Sequence, residues 1–285
     1  MSVAEPVVAQ EPPAAQREEA ALARRNRRRG IAIAAAPGVV AGAVVAVVCL
    51  VLGGPVVGVA VGVAVGFAVW AATWWGATPV LVRSLHAVPA DEDDYARVFN
   101  QVDGLCATMG LALPTVCVVE DDLLGSLVLG RRRRVAVLVV TSGLARSFDP
   151  VQLEGVLAHE LMHVKCADIV PATMAAAMAL PLVMVLPGMA NLVHVLAGRG
   201  REFRTDQLAV GVTRYPPGLR EALALMVDGP VPGTSSPLAG RRVAQVTRWL
   251  WTVSLADGTG GRRSEGGVTG ELDDATVRIA ALDEW

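Results

Sequence analysis

His159, Glu160 and His163 are the residues whose types and spacing point most directly to chemistry in this chain. Side chains four apart on a helix lie one above the other, so the two imidazoles of an HExxH spacing can hold one metal ion between them. The glutamate beside them is then placed to deprotonate a water that the metal activates. A catalytic zinc site takes three protein ligands and keeps a fourth position open, so a third ligand is required. His86 and His194 are the remaining histidines; a carboxylate would also serve, and Glu202 opens a Glu-x-x-x-Asp pattern with Asp206 one helical turn later. In that pattern Asp206 accepts a hydrogen bond from a ligand histidine and fixes its tautomer. His194 lies in an apolar stretch beside Val193 and Val195 and reads as packing rather than ligation.

Several elements must position these groups. Asp149, Pro150 and Gln152 form a helix start, with a capping carboxylate, a proline at the first helical position and a capping-box glutamine, so the motif sits on a helix. Upstream, Asp91 to Asp94 suit a helix N-terminus, and Tyr95, Val98, Phe99, Val102, Leu105, Cys106 and Met109 share one apolar face that Gly110 ends. Val116 to Val119 and Val135 to Val140 read as strands of a small sheet, and the segment Gly125 to Gly130 between them reads as an edge that could align an extended peptide. The arginines 131 to 134 form a solvated loop that an anionic membrane surface would attract. After Asp206, a Pro216-Pro217-Gly218 turn leads into a short helix over Leu219 to Val227. Asp228 to Gly240 and Asp257 to Gly270 are rich in Gly, Pro and Ser and read as mobile loops, while Trp249 and Trp251 read as packing residues.

The chain also meets lipid. Of its 285 residues 53% are hydrophobic and 18% charged, too few charges for an ordinary soluble enzyme. Ile31 to Leu52 runs without a charge and is long enough to cross a bilayer; Val56 to Trp75 comes after only Gly53, Gly54 and Pro55. Two spans and a tight turn make a transmembrane hairpin over residues 31–75, preceded by a disordered, Arg-rich tail over residues 1–30. Gly54, Gly58, Gly62 and Gly66 form a bare stripe in the second span, and Trp70, Trp74 and Trp75 close it as an interfacial belt. Arg24, Arg25, Arg27, Arg28 and Arg29 place the tail in the cytoplasm by the positive-inside rule, and with it the domain over residues 80–285. A net charge of −2 argues against a nucleic-acid partner. Four cysteines without CxxC spacing read as reduced, buried thiols.

From Pro89 to Leu282 the chain resembles the membrane-bound zinc metallopeptidases that include the heat-shock protease HtpX and the CAAX-prenyl endopeptidase. The resemblance rests on Val139-Val140-Thr141-Ser142-Gly143-Leu144, on Leu153 to His163 with the HExxH motif, on Asp168, and on Arg201-Glu202-Phe203-Arg204-Thr205-Asp206. It implies one Zn²⁺ per chain held by His159, His163 and Glu202, with Glu160 as general base. Asp206 then matches an aspartate that supports a ligand histidine from behind, and Asp168 an aspartate beyond the end of the motif helix. It also implies a mainly α fold with a small β-sheet, of α+β class, in which a gluzincin-like domain is anchored by helices. Quality-control proteolysis of membrane-associated or misfolded polypeptides is inherited from the same resemblance.

The chain departs from this family at two places. Gly125-Ser126-Leu127-Val128-Leu129-Gly130 stands where the family has Asn-Ala-x-x-x-Gly, and Leu272, Asp273 and Asp274 stand where it has His-Pro-Pro, although Arg278, Ile279 and Leu282 match the family's next helix. The missing asparagine and histidine help to stabilise the oxyanion, so turnover is expected to be low. They also motivate the rival reading, a membrane adaptor that binds polypeptide without cutting it. A channel built on the glycine-striped hairpin is discounted, because the hairpin has no intramembrane ionisable residue to mark a pathway.

Topology limits the remaining apolar segment. Ile169 to Ala197 is uncharged and is interrupted by Pro171, Pro181 and Pro187. If His163 and Glu202 hold one ion, it must leave and return on the same side. Two full crossings need roughly 40 residues. It is therefore read as a shallow, membrane-associated hairpin over residues 169–197, broken near Pro181 to Pro187.

Overall fold

The computed structural model describes residues 14–183, 186, 190–198, 200–229, 238, 242–253 and 274–285. Helix α1 (Ala14–Gly53) and helix α2 (Pro55–Ser84) are antiparallel and joined at Gly54, whose φ of 87° is a left-handed turn that glycine adopts freely. Both are long and apolar enough to cross a membrane, and Val39, Val44, Val51, Val56, Val63 and Phe67 face outward. Gly58, Gly62 and Gly66 of the stripe pack against α1, while Gly54 meets nothing: a Cβ on Gly62 would stand 2.7 Å from the Gly42 carbonyl oxygen, and one on Gly38 would stand 2.5 Å from that of Gly66. Only bare backbone allows the two helices to approach so closely.

The helical start at Ala14 corrects the expectation of a disordered tail over residues 14–30, which continue the first span as helix, while residues 1–13 lie outside the described residues. Alanine-rich sequence propagates readily from an existing helix. Contacts invisible to composition then fix the extension to the rest of the chain. Glu19 pairs with Lys165 at 3.5 Å, Asn26 donates to the Cys166 carbonyl, and Arg29 donates to that of Val195.

Beyond α2 the chain forms strand β1 (Val88–Pro89), helix α3 (Ala96–Met109), strand β2 (Thr115–Val119), strand β3 (Ser126–Gly130) and strand β4 (Ala136–Thr141). The acidic run 91–94 forms a turn ahead of α3 rather than its first turn, and Gly110 ends α3 in the left-handed region as expected. The sheet order is β1-β2-β4-β3, with β2 and β4 parallel and the outer pairings antiparallel. Alternate residues enter two cores. Val116, Val118, Leu138 and Val140 face the side built by α3 and the motif helix, while Cys117, Val119, Leu127, Leu129 and Val139 face the other. Strands buried on both faces read as unbroken apolar runs. The fold is mainly α with a small sheet. All four cysteines are free.

Helix α4 (Ser142–Ser147) leads into helix α5 (Pro150–Cys166), and helix α6 (Ile169–Val183) leaves α5 at 90°. Helix α7 (Ala190–Ala197) packs back on α6, and α6 lies against α1 and α2 through Val170 and Met174 beside Ile33, Ala34, Trp74 and Ala77. Helix α8 (Arg201–Thr213), helix α9 (Pro216–Asp228), helix α10 (Arg242–Thr247) and helix α11 (Ala275–Asp283) complete the chain. The loops expected over residues 228–240 and 257–270 lie largely outside the described residues, as do Leu272 and Asp273.

Strand β3 lies at the sheet edge, but that edge is not open along its length. Trp251 bridges to Leu127, the Thr252 amide donates to the Ser126 carbonyl, and the Gly130 amide donates to Thr173 of α6. The expectation that this edge aligns an extended peptide is corrected at these positions, because the chain's own backbone and side chains satisfy groups that a peptide would use.

Candidate metal centre

Helix α5 starts as its sequence dictates. Asp149 accepts from the Val151 and Gln152 amides, Gln152 accepts from the Asp149 amide, and Pro150 fills the first helical position. From this start His159 and His163 fall on one buried face toward α8, with ring centroids 4.7 Å apart. Glu202 lies in the first turn of α8, where a carboxylate suits the helix N-terminus.

The three side chains converge. His159 Nε2 is 3.1 Å from His163 Nε2, and Glu202 Oε2 is 3.0 Å from the first and 3.4 Å from the second. Tetrahedral zinc with bonds of about 2.0–2.1 Å places its ligand atoms about 3.3 Å apart, so this donor set fits such an ion in type and in spacing. His159, His163 and Glu202 are the group of three among the described residues able to hold a metal. His86 lies exposed in the turn after α2, outside that group, and the side chain of His194 lies outside the described residues.

Each imidazole is held from behind. Ala167 ends α5 at φ 55° and turns the chain so that Asp168 reaches His163 Nδ1, at 2.9 and 3.0 Å from its two oxygens. A non-glycine residue in that region is strained, and strain of this kind is kept where it aims a functional group. Asp206 Oδ1 stands 2.7 Å from His159 Nδ1. Arg278 in turn grips Asp206 through Nε and Nη2, and Arg201 Nε lies 2.7 Å from Glu202 Oε1.

Electrostatics arise from these pairings. Burial disfavours charge on His163, yet the Asp168 and Glu202 carboxylates outweigh it and push the imidazole up to about 10. His159 is raised against the same penalty by Asp206 and Glu202. Burial works to raise Glu202, but Arg201 and His163 hold it well below the usual carboxylate range; Arg278 does the same for Asp206 more mildly. Carboxylates kept ionised beside imidazoles provide the negative charge that a cation replaces protons to meet.

Glu160 is 1% exposed. Its Oε1 accepts from Thr252 Oγ1 at 2.5 Å and from Ser126 Oγ at 2.9 Å, while Oε2 has no partner among the described residues. Sequence reasoning assigned no role to Ser126, Thr252, Arg201 or Arg278. Residues 126, 160 and 252 are too distant in sequence for any spacing to connect them. Asp274, at the missing His-Pro-Pro, caps α11 by accepting from the Thr276 amide.

Comparison with known proteins agrees with the geometry. The profile of peptidase family M48 matches residues 93–250. The chain is 26% identical over 218 residues to "Protease HtpX homolog" of Gemmatimonas aurantiaca, covering 62% of this chain and 78% of that protein. It is 29% identical over 178 residues to the protein of that name from Acidiphilium cryptum, covering 52% and 62%. To that from Tropheryma whipplei it is 30% identical over 190 residues, covering 55% and 64%. The last two matches thus span less than two thirds of the relative's length. No solved structure matches. These relatives do not favour the adaptor reading. With the profile covering over half of its length, the chain belongs to peptidase family M48, as a membrane-anchored member of that metalloprotease family.

Proposed function

We propose that the chain is a zinc endopeptidase held by two membrane spans, with its catalytic domain on the cytoplasmic side, that hydrolyses membrane-associated or misfolded polypeptides. The observation that carries this reading is the convergence of His159 Nε2, His163 Nε2 and Glu202 Oε2 at 3.0 to 3.4 Å beside the buried Glu160. His159, His163 and Glu202 would hold one Zn²⁺, with Asp206 and Asp168 fixing the rings. When bound, the zinc polarises the scissile carbonyl and lowers the pKa of the attacking water. Glu160 takes the proton from that water at Oε2 and returns it to the leaving amine.

The same convergence supports the membrane topology. Donors on α5 and α8 meet, which supports the reading that α6 and α7 leave and return on one side, with α6 packed on the anchor helices. Gly125 and the 272–274 segment lack the family's oxyanion donors, and removal of one such donor costs roughly a hundred- to a thousandfold, so turnover is expected to be slow. The test is metal analysis of the detergent-purified protein coupled to casein cleavage with and without a chelator. One zinc per chain and chelator-sensitive cleavage support the reading; cleavage indifferent to metal removal contradicts it.

A further inference from the structure

The two oxygens of Glu160 stand in different surroundings. Oε1 sits in a cradle of hydroxyls, while Oε2 is buried and has no partner among the described residues. Ser126 Oγ and Thr252 Oγ1 are 2.6 Å apart, and each is within hydrogen-bond distance of Oε1. Each hydroxyl carries one proton: Thr252 donates along the shortest contact, and Ser126 donates either to Oε1 or to Thr252. The terminal torsion of a glutamate is broad and soft, so the plane of its carboxylate is set by what holds it. From this geometry we infer that Ser126 and Thr252 are positioning residues, which turn the Glu160 carboxylate so that Oε2 faces the reacting atoms.

The cradle is built to stay in place. Trp251 is 1% exposed and lies over Gly125, where a Cβ would stand 2.8 Å from the indole ring. Thr252 donates its amide to the Ser126 carbonyl, and its own carbonyl accepts from Arg278 Nη1 at 2.6 Å. Backbone pairing, a buried indole and a buried guanidinium thus fix the one segment that brings the Thr252 hydroxyl to the base. This also explains the glycine at position 125: a larger residue would push the indole, and Thr252 with it, away from Glu160. The inference deepens the peptidase reading and rests on Glu160 being its base.

Four variants test it: Thr252→Val keeps shape and loses the hydroxyl, Thr252→Ser keeps the hydroxyl, Ser126→Ala removes the other donor, and Glu160→Gln identifies the signal of the base. In infrared difference spectra of the purified protein carrying isotope-labelled glutamate, the carboxylate band lost in Glu160→Gln should shift in Thr252→Val and Ser126→Ala and stay in place in Thr252→Ser. With zinc bound, kcat should fall roughly tenfold in Thr252→Val and Ser126→Ala, in the range of lost supporting hydrogen bonds, with KM changed less than twofold and Thr252→Ser restoring it. An unshifted band, or Thr252→Val with wild-type or higher kcat, overturns the inference; higher kcat would mark the segment as a removable cover. Should Thr252→Val fail to fold, Ser126→Ala carries the same comparison. The infrared arm needs no turnover, so a wild type that cleaves nothing refutes the peptidase reading while the band shift still decides the positioning.

Discussion

Arg278 grips Asp206 with two nitrogens, Nε on Oδ2 at 2.6 Å and Nη2 on Oδ1 at 2.8 Å, and both residues are 1% exposed. A third nitrogen, Nη1, holds the Thr252 carbonyl, so one guanidinium connects the support of His159 to the cradle of Glu160. Removing one partner of a buried pair leaves an uncompensated charge, typically at a cost of about 3–5 kcal/mol. Arg278→Leu should therefore lower thermal stability sharply, and Arg278→Lys should recover only part of it, because an ammonium lacks the planar fork. Unfolding in detergent measures both; a wild-type melting temperature in Arg278→Leu would refute the role.

The proposed roles of Glu202 as third ligand and of Asp206 behind His159 make different predictions for zinc affinity. Glu202→Ala should abolish tight zinc binding. Asp206→Ala should weaken it by roughly ten- to a hundredfold, as losses of supporting hydrogen bonds do. Competition titration with a chromogenic chelator reads both. Wild-type affinity in Glu202→Ala would remove Glu202 from the ligand set.

Much of this was legible from spacing because its geometry is local. The HExxH pair lies within one helix, the Asp149 cap within one turn, and Glu202 with Asp206 again within one helix, so periodicity groups each set, while the link from Glu202 to the histidines came from the family resemblance. The hairpin was legible because uncharged length and bilayer thickness share a scale. What escaped was long-range: Ser126 and Thr252 meet Glu160 through tertiary packing that no periodicity encodes. The helix over residues 14–30 escaped for the same reason, since its partners Lys165, Cys166 and Val195 belong to distant elements. The closure of the β3 edge depends on Trp251, which reads from sequence as an ordinary packing aromatic.

Protons and metal compete at this site, and their competition sets the sign of the pH dependence. In chelator-stripped protein His163 is raised from 6.5 to about 10, so its contribution to stability is fully present below 6.5 and is lost as pH rises through about 10. Metal binding requires the neutral ring and strengthens as protons leave. Stripped protein should melt at lower temperature near the upper end of that window than near its lower end, and the stabilisation added by zinc should grow across it. Melting curves with and without zinc check this; stripped protein that gains stability with rising pH would contradict it.

The membrane orientation is open to chemical labelling in a background lacking Cys49, the half-buried thiol of α1. Val56→Cys, exposed at the hairpin turn, should react with an impermeant maleimide on intact cells. Asp122→Cys in the catalytic domain should react only after permeabilisation. Labelling of Asp122→Cys on intact cells would invert the topology.

The role of Glu160 is tested most directly by replacing it with Gln, which preserves size and removes basicity. Zinc content and cleavage of a membrane substrate are measured on the same preparation, with long incubations suited to slow turnover. Zinc should remain at one per chain, while cleavage falls by roughly a hundredfold or more, the range over which a general base contributes. Equal cleavage by wild type and Glu160→Gln at equal zinc content would contradict the account.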